Sequence, residues 1–250
     1  MLVAILALVV VAYAAACGAL FWFQRSLVFF PQPRALGTQA LDSLRNGDTR
    51  LQLTVRRHAG PGAVLYFGGN AEDVSSSLPT LLDAFPGREI VMLHYRGYGG
   101  SAGEPGEEAI AADAAALFDS VHAQHPDVVV VGRSLGSGVA LRLASTRPVS
   151  RVVLVTPYDS LVEIAQSHYR MFPVHFLMRD KFESWRYVPK VTAPTLIIAA
   201  GHDEVIPAAS TQRLRARFAP GRVDYVLFPD AAHNTISDDP AFARALAGEK

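Results

Sequence analysis

The run 128–138 reads VVVVGRSLGSG, a β-branched stretch, then G-x-S-x-G, then the opening of a helical pattern. A sharp strand-to-helix turn of this kind lifts a serine hydroxyl clear of a sheet, and it crowds the neighbouring positions so that Gly132 and Gly136 are needed where a Cβ would clash. Ser134 is therefore the candidate nucleophile; its plainer role is that of a serine capping the following helix. The pattern is loose, since 99–103 reads GGSAG and matches as well. Ser101, however, stands beyond its strand and is followed by Glu104, Pro105 and Gly106, which begin no helix, so it is expected in a loop.

A serine attacks poorly until a base takes its proton, so an acid and then a histidine should follow it in the chain. Asp203 comes just after the apolar run 195–199, where a strand would deliver it to the carboxyl edge of a sheet. There it could fix the tautomer of an imidazole and stabilise the imidazolium. Asp159 is the alternative acid, because it too follows a strand, and Glu204 is expected to point away. His233 follows the last apolar run in FPDAAHN (228–234) and is the candidate base. The other seven histidines fit less well: His94 ends a strand as a core residue would, and His122 and His125 share a helix end with no third ligand, so no metal site is expected.

Acyl transfer also needs donors for the developing oxyanion. One is the backbone N–H after the nucleophile, that of Leu135. The other should come from the turn YFGGNA (66–71), where glycines allow close approach of backbone to substrate; Asn70 is preferred and Ala71 is the alternative.

The elements that must position these groups are legible as alternating short apolar runs and longer helical patterns, the signature of an α/β domain with a mostly parallel sheet. Strands are expected over 51–56, 63–67, 89–94, 128–131, 151–155, 195–199 and 223–227, and helices over 72–84, 107–125, 135–145, 211–218 and 240–247. Pro79 should kink or split the first helix. Segment 32–46 has too little pattern to assign. The chain has 250 residues, 50% of them hydrophobic and 9% aromatic, enough apolar surface for one compact domain and too much for a disordered one. With 23 basic and 23 acidic residues and no basic block, there is no field to attract nucleic acid. The single cysteine, Cys17, rules out an intrachain disulfide.

From Leu2 to Phe23 no residue is charged, and 22 residues at ~1.5 Å each give roughly 33 Å, enough to cross a hydrocarbon layer of about 30 Å. Residues 1–24 are thus expected to be a transmembrane anchor, 25–50 a linker leading into the sheet, and 51–250 the folded domain. A cleaved signal peptide is the rival, with small residues at Ala14 to Ala16 and Cys17–Gly18 as a weak lipoprotein box; it lacks a basic n-region, and the apolar run continues past Cys17. Arg25 and Arg34 follow the span and no basic residue precedes it, which places the domain in the cytoplasm.

The chain resembles the alpha/beta-hydrolase superfamily and, within it, the membrane-anchored bud-emergence-type branch. The supporting pieces are the N-terminal anchor followed by QRSLVFFP (24–31), YFGGNAED (66–73), YRGYGGSAG (95–103), the Ser134 turn, TPYDSL (156–161), Asp203 and His233, together covering essentially the whole chain. Such relatives usually read His-Gly-Asn in the first loop where this chain has Gly68-Gly69-Asn70, so the bracing of that loop does not carry over. The resemblance implies a cofactor-free hydrolase of esters, thioesters or amides, an acyltransferase differing only in the final acceptor.

A short lid is expected over 157–192, rich in Tyr169, Met171, Phe172, Phe176 and Trp185, which could line an acyl-chain pocket for a lipid ester or lipidated thioester, or simply pack the lid onto the sheet. Arg133, beside the nucleophile, is expected in a structural salt bridge. A dinucleotide site at 97–102 fails for want of a helix after the glycines. A catalytically silent, membrane-tethered interaction module is the remaining alternative.

Overall fold

The computed structural model describes residues 1–35 and 41–249. The sheet has eight strands: β1 (Leu41–Asn46), β2 (Thr49–Arg56), β3 (Gly62–Phe67), β4 (Glu89–Leu93), β5 (Asp127–Arg133), β6 (Arg151–Val155), β7 (Thr195–His202) and β8 (Val223–Ala232), in the order β1-β2-β4-β3-β5-β6-β7-β8. β1, β2 and β4 pair antiparallel, and every other pairing is parallel. β5 is central because both its faces are covered. Val128 and Val130 pack with Leu117, Phe118 and Val139 on one side, and Val129 and Val131 pack with Leu78, Leu81 and Phe242 on the other. A strand buried on both faces must be apolar throughout, which is why four consecutive valines mark it.

The first of those layers holds α3 (Glu107–His122), α4 (Leu135–Ala144) and α7 (Ala208–Arg215), and the second holds α2 (Leu78–Ala84) and α8 (Phe242–Ala247). The helix expected over 72–84 is split: Asp73 caps a 3₁₀ turn, Val74–Ser77, and α2 starts beyond it with Pro79 in its first turn, where the missing N–H costs nothing. β1 falls within the patternless segment. Its side chains alternate between half-covered and exposed, so only backbone pairing to β2 defines it. The lid segment holds α5 (Leu161–His168) and α6 (Val174–Leu177), followed by two 3₁₀ turns.

The N-terminal helix, α1 (Leu2–Val28), runs past the expected end of the anchor. It has no buried residue and is apolar enough over its length to cross a membrane. Within the expected linker, residues 25–28 continue α1, and 36–40 lie outside the described residues. Phe29 is buried in the core, Arg25 pairs with Asp180 at 3.2 Å, and the same carboxylate accepts the Glu107 N–H at the start of α3 at 2.8 Å. Gln24 is held twice, donating to the Leu177 carbonyl at 2.9 Å and accepting from the Arg179 N–H at 2.6 Å. Nearer the N-terminus, Tyr13 donates to the Met171 carbonyl at 2.7 Å and stacks on Phe172. α1 is thus docked along one side on α6 and the segments flanking it.

His94 follows β4 and is buried beside Thr54 Oγ1, 2.9 Å from its Nε2. Burial, opposed by the Asp73 carboxylate, lowers its pKa from 6.5 to about 4. Between those values the unfolded chain binds the extra proton and the folded chain does not, so this contribution to stability is whole above pH ~6.5 and lost as the pH falls toward ~4. At roughly 1.4 kcal/mol per pH unit the loss reaches about 3 kcal/mol. Melting of the detergent-solubilised protein from pH 7.5 to 4.5 should drop more steeply for wild type than for His94→Gln; equal slopes would mean that this imidazole is solvated.

Candidate active site

Ser134 sits between β5 and α4 at φ 49°, ψ −118°, a backbone conformation that costs a non-glycine residue of order 1–3 kcal/mol and persists only when its surroundings enforce it. Its N–H donates to the Val155 carbonyl at 2.9 Å, and its carbonyl accepts from the Ser137 N–H at 2.9 Å and the Ser137 hydroxyl at 2.7 Å. The turn is tight enough to forbid side chains on either flank. A Cβ on Gly132 would lie 2.3 Å from the Gly136 carbonyl oxygen, and one on Gly136 would lie 1.9 Å from that of Phe67.

β7 and β8 carry the other two groups to the same edge. His233 follows β8 directly and is buried, with Nε2 3.1 Å from Ser134 Oγ and Nδ1 2.9 Å from both oxygens of Asp203. A carboxylate can only accept, so Nδ1 carries the proton and Nε2 is left to accept the serine hydroxyl. Asp203 is itself fixed, one oxygen accepting the N–H groups of Val205 at 3.0 Å and Ile206 at 2.7 Å. The hydroxyl of Ser134 is hydrogen-bonded to a base whose orientation is set by a carboxylate.

The loop after β3 is braced from three sides. Glu72 accepts the Gly69 N–H at 2.8 Å, and its other oxygen accepts the hydroxyls of Tyr66 and Ser77, both at 2.7 Å. Tyr95 donates to the Gly68 carbonyl at 2.9 Å and Tyr98 to that of Asn70 at 2.6 Å, with burial pushing the Tyr98 phenol up to about 12. The third brace is the end of α1: Asn70 Nδ2 donates to the Val28 carbonyl at 2.9 Å, and the Phe30 N–H donates to the Asn70 carbonyl at 3.2 Å. Position 68 has no room for a side chain, since Val74 would lie 2.5 Å from its Cβ. The N–H groups of Asn70 and Leu135 donate to no other group among the described residues, and both residues line the cleft that contains Ser134.

Other residues singled out in the sequence are placed elsewhere. Asp159 accepts the Ser210 hydroxyl at 2.6 Å and pairs with Arg213 at 2.5 Å, and it is not joined to His233. Ser101 is a buried loop staple that donates to the His94 carbonyl and accepts the Gln52 N–H. Two expectations are corrected. Glu204 does not point away but accepts the His233 N–H at 3.2 Å, and Arg133 forms no salt bridge among the described residues, reaching instead toward the His233 and Asn234 carbonyls at 3.4 and 3.5 Å. Both hold the loop that carries the imidazole. His125 Nδ1 lies 2.8 Å from the Gly60 carbonyl, and among the described residues no cluster of three His, Cys, Asp or Glu side chains is close enough to hold a metal ion. Glu72, Tyr95 and Tyr98 were not anticipated as supports; their signal was the polar tips of Tyr95 and Tyr98 near two glycine turns, which spacing alone does not orient.

The cleft over Ser134 has a volume of about 250 Å³ and is walled mainly by apolar side chains, among them Leu161, Ile164 and Met178 from the lid and Leu27 and Val28 from α1. The lid divides its large residues. Met178 and Phe182 are buried, whereas Met171 and Phe176 are 82% and 90% exposed.

The profile of the family described as alpha/beta hydrolase fold matches residues 58–189, just over half of the chain. The chain belongs to the alpha/beta hydrolase family. This hydrolase is 35% identical over 231 residues to an uncharacterized protein of Mycobacterium tuberculosis, covering 84% of this chain and 80% of that one. It is 32% identical over 183 residues to the lysophosphatidylserine lipase ABHD12 of Macaca fascicularis, which covers 64% of this chain but only 46% of the lipase. Among solved structures, the Pyrococcus furiosus esterase Pf2001 superposes with a TM-score of 0.67 over 88% of this chain and 97% of its own, at 18% identity, a likeness of fold.

Proposed function

We propose that the protein is a membrane-anchored serine hydrolase that cleaves an acyl ester or thioester, a lipid or a lipidated molecule, through an acyl-enzyme on Ser134. The observation that carries this reading is the unbroken hydrogen-bonded line Ser134–His233–Asp203, whose serine lines an apolar cleft. His233 takes the Ser134 proton as Oγ attacks the acyl carbonyl, and Asp203 stabilises the imidazolium. The Asn70 and Leu135 N–H groups hold the oxyanion, aided by the N-terminus of α4. His233 then protonates the leaving group, and water, activated by the same imidazole, releases the acid. The anchor is α1, whose apolar side chains from Leu2 to Val11 face outward with nothing to cover them but lipid. Arg25 and Arg34 favour the cytoplasmic side for the domain.

Lipase and esterase neighbours support a hydrolase, and the wide, apolar cleft favours an acyl chain over a peptide. Fluorophosphonate labelling of the full-length chain in membranes tests the reading. Wild type and Ser101→Ala should label and Ser134→Ala should not; a labelled Ser134→Ala, or an unlabelled folded wild type, would sink it and leave the silent tethered module.

The oxyanion loop gives a finer expectation. Tyr98→Phe removes the short bond to the Asn70 carbonyl and leaves that carbonyl with the Phe30 N–H alone. A loss of about 1.4 kcal/mol in transition-state stabilisation would lower kcat about tenfold with little change in KM. A rise in KM at constant kcat would instead mean that Tyr98 serves binding.

A further inference from the structure

The cleft over Ser134 does not end at the lid. A second groove, of about 100 Å³, runs along α1 beside it, and the two spaces share Leu27, Val28, Ala165, Tyr169 and Met178 as common walls. Beyond them the groove is lined by Leu20 and Gln24 of α1 and by Val174 and Leu177 of α6. Leu20, Gln24 and Val28 are one stripe at i, i+4, i+8, spanning about 12 Å of helix at ~1.5 Å per residue. Gln24 is the one strongly polar side chain on that wall, and its amide is already engaged at both ends, with the Phe21 and Leu177 carbonyls and the Arg179 N–H. The α1 wall of the groove therefore offers an alkyl chain no unmet side-chain amide, and the groove lies against the cleft that holds Ser134.

The second observation is depth. Trp22 and Phe23 are the aromatic pair expected at a membrane–water boundary. Tyr13, where α1 meets the Met171 carbonyl and the Phe172 ring, lies ten residues further in, about 15 Å along the helix and midway through a hydrocarbon layer of about 30 Å. An α1 that spans the membrane thus brings the apolar tip of the lid against the lipid and requires the exposed Arg170 beside Met171 to snorkel toward the headgroups. Met171 and Phe176, which would be costly exposures in water, then sit among lipid tails, and the groove mouth beside Leu20 faces the same tails.

We propose that the groove between α1 and the lid is the route by which a single acyl chain of a bilayer lipid slides sideways out of the membrane to present its ester to Ser134. This rests on Ser134 being the nucleophile. The occupant is one acyl chain because the groove has one apolar lane, and its carbonyl end is fixed by the neighbouring Asn70 and Leu135 N–H groups.

The test uses the full-length chain in phosphatidylcholine vesicles with a series of monoacyl esters from butyryl to palmitoyl. Burying each added methylene is worth ~0.8 kcal/mol, so kcat/KM should climb by up to about fourfold per methylene until the groove is filled. For the palmitoyl ester the rate should follow its mole fraction in the bilayer rather than its bulk concentration. Leu20→Trp and, separately, Val174→Trp place an indole in the outer groove and should lower the palmitoyl-to-butyryl ratio of kcat/KM at least tenfold. Leu8→Trp, on the part of α1 remote from the lid, should leave the ratio at the wild-type value. Because the ratio is taken within one preparation, loss of folded enzyme cancels. A wild type blind to chain length or preferring acetyl esters, a rate set by bulk concentration, or an unchanged ratio in both groove variants overturns the route while leaving the serine hydrolase intact. A wild type inert on every ester overturns both.

Discussion

Ser134→Ala should lower kcat for an acyl ester by about 10⁶-fold, and adding His233→Ala to it should lower the rate scarcely further. The reason is that the proposed mechanism makes the two side chains one device. Nε2 lies 3.1 Å from the serine oxygen, so the imidazole has no proton to accept once that oxygen is gone. Removing either side chain is then equivalent to removing the pair. What survives is the rate that binding and the two N–H donors confer on attack by water, on the order of 10³ to 10⁴ over the uncatalysed reaction. Additive losses in the double variant, measured on purified protein with a chromogenic ester, would show that His233 acts elsewhere than on Ser134. Ser101→Ala is the matching control of position: its hydroxyl bonds the His94 carbonyl and the Gln52 amide, so its loss belongs to the melting temperature rather than to kcat.

The second large effect separates the two aspartates. Asp203→Asn keeps the size of the side chain but replaces an acceptor-only group with one that can donate. The imidazole then gains from carrying its proton on Nε2, the wrong nitrogen to accept from Ser134, and kcat should fall about 10⁴-fold with KM close to its original value. Asp159→Asn should stay within a few-fold of wild type. Its neighbours are Ser210 and the guanidinium of Arg213, and neither joins it to His233, so its loss bears on stability rather than on the imidazole. The opposite ranking of kcat would transfer the acid's role to Asp159.

The contrast between these aspartates also shows how far a sequence can be read. Both follow strands, Asp159 after β6 and Asp203 after β7, and both reach the carboxyl edge of the sheet. Which one meets the imidazole is decided by Arg213 and Ser210 on α7, which claim Asp159. That choice depends on how α7 packs and is invisible in spacing. Ser134 was separable from Ser101 because the helix after it leaves a local trace in LGSGVALRLA, whereas GEPG leaves none. β5 was plain because two buried faces demand unbroken valines. β1 was not, because DSLRN is a polar edge whose only structural obligation is its hydrogen bonding to β2. Glu204 and Arg133 escaped for a different reason. Each acts through a backbone group of the His233 loop, and a residue type two or three positions from a turn says little about which carbonyl or amide it will reach.

The C-terminal end of α1 supplies the Val28 carbonyl that holds Asn70 and, with Leu27, a wall of the cleft over Ser134. The helix is therefore not an interchangeable mooring line. A tether that merely fixed the domain to a surface could be lengthened, swapped for another span or cut away without touching the cleft, but here the residues that leave the apolar helix also wall the space over Ser134. On the proposed reading, attachment and the shape of the site meet in one continuous stretch of chain, Leu27 to Phe30, where the apolar helix ends and the brace on Asn70 begins.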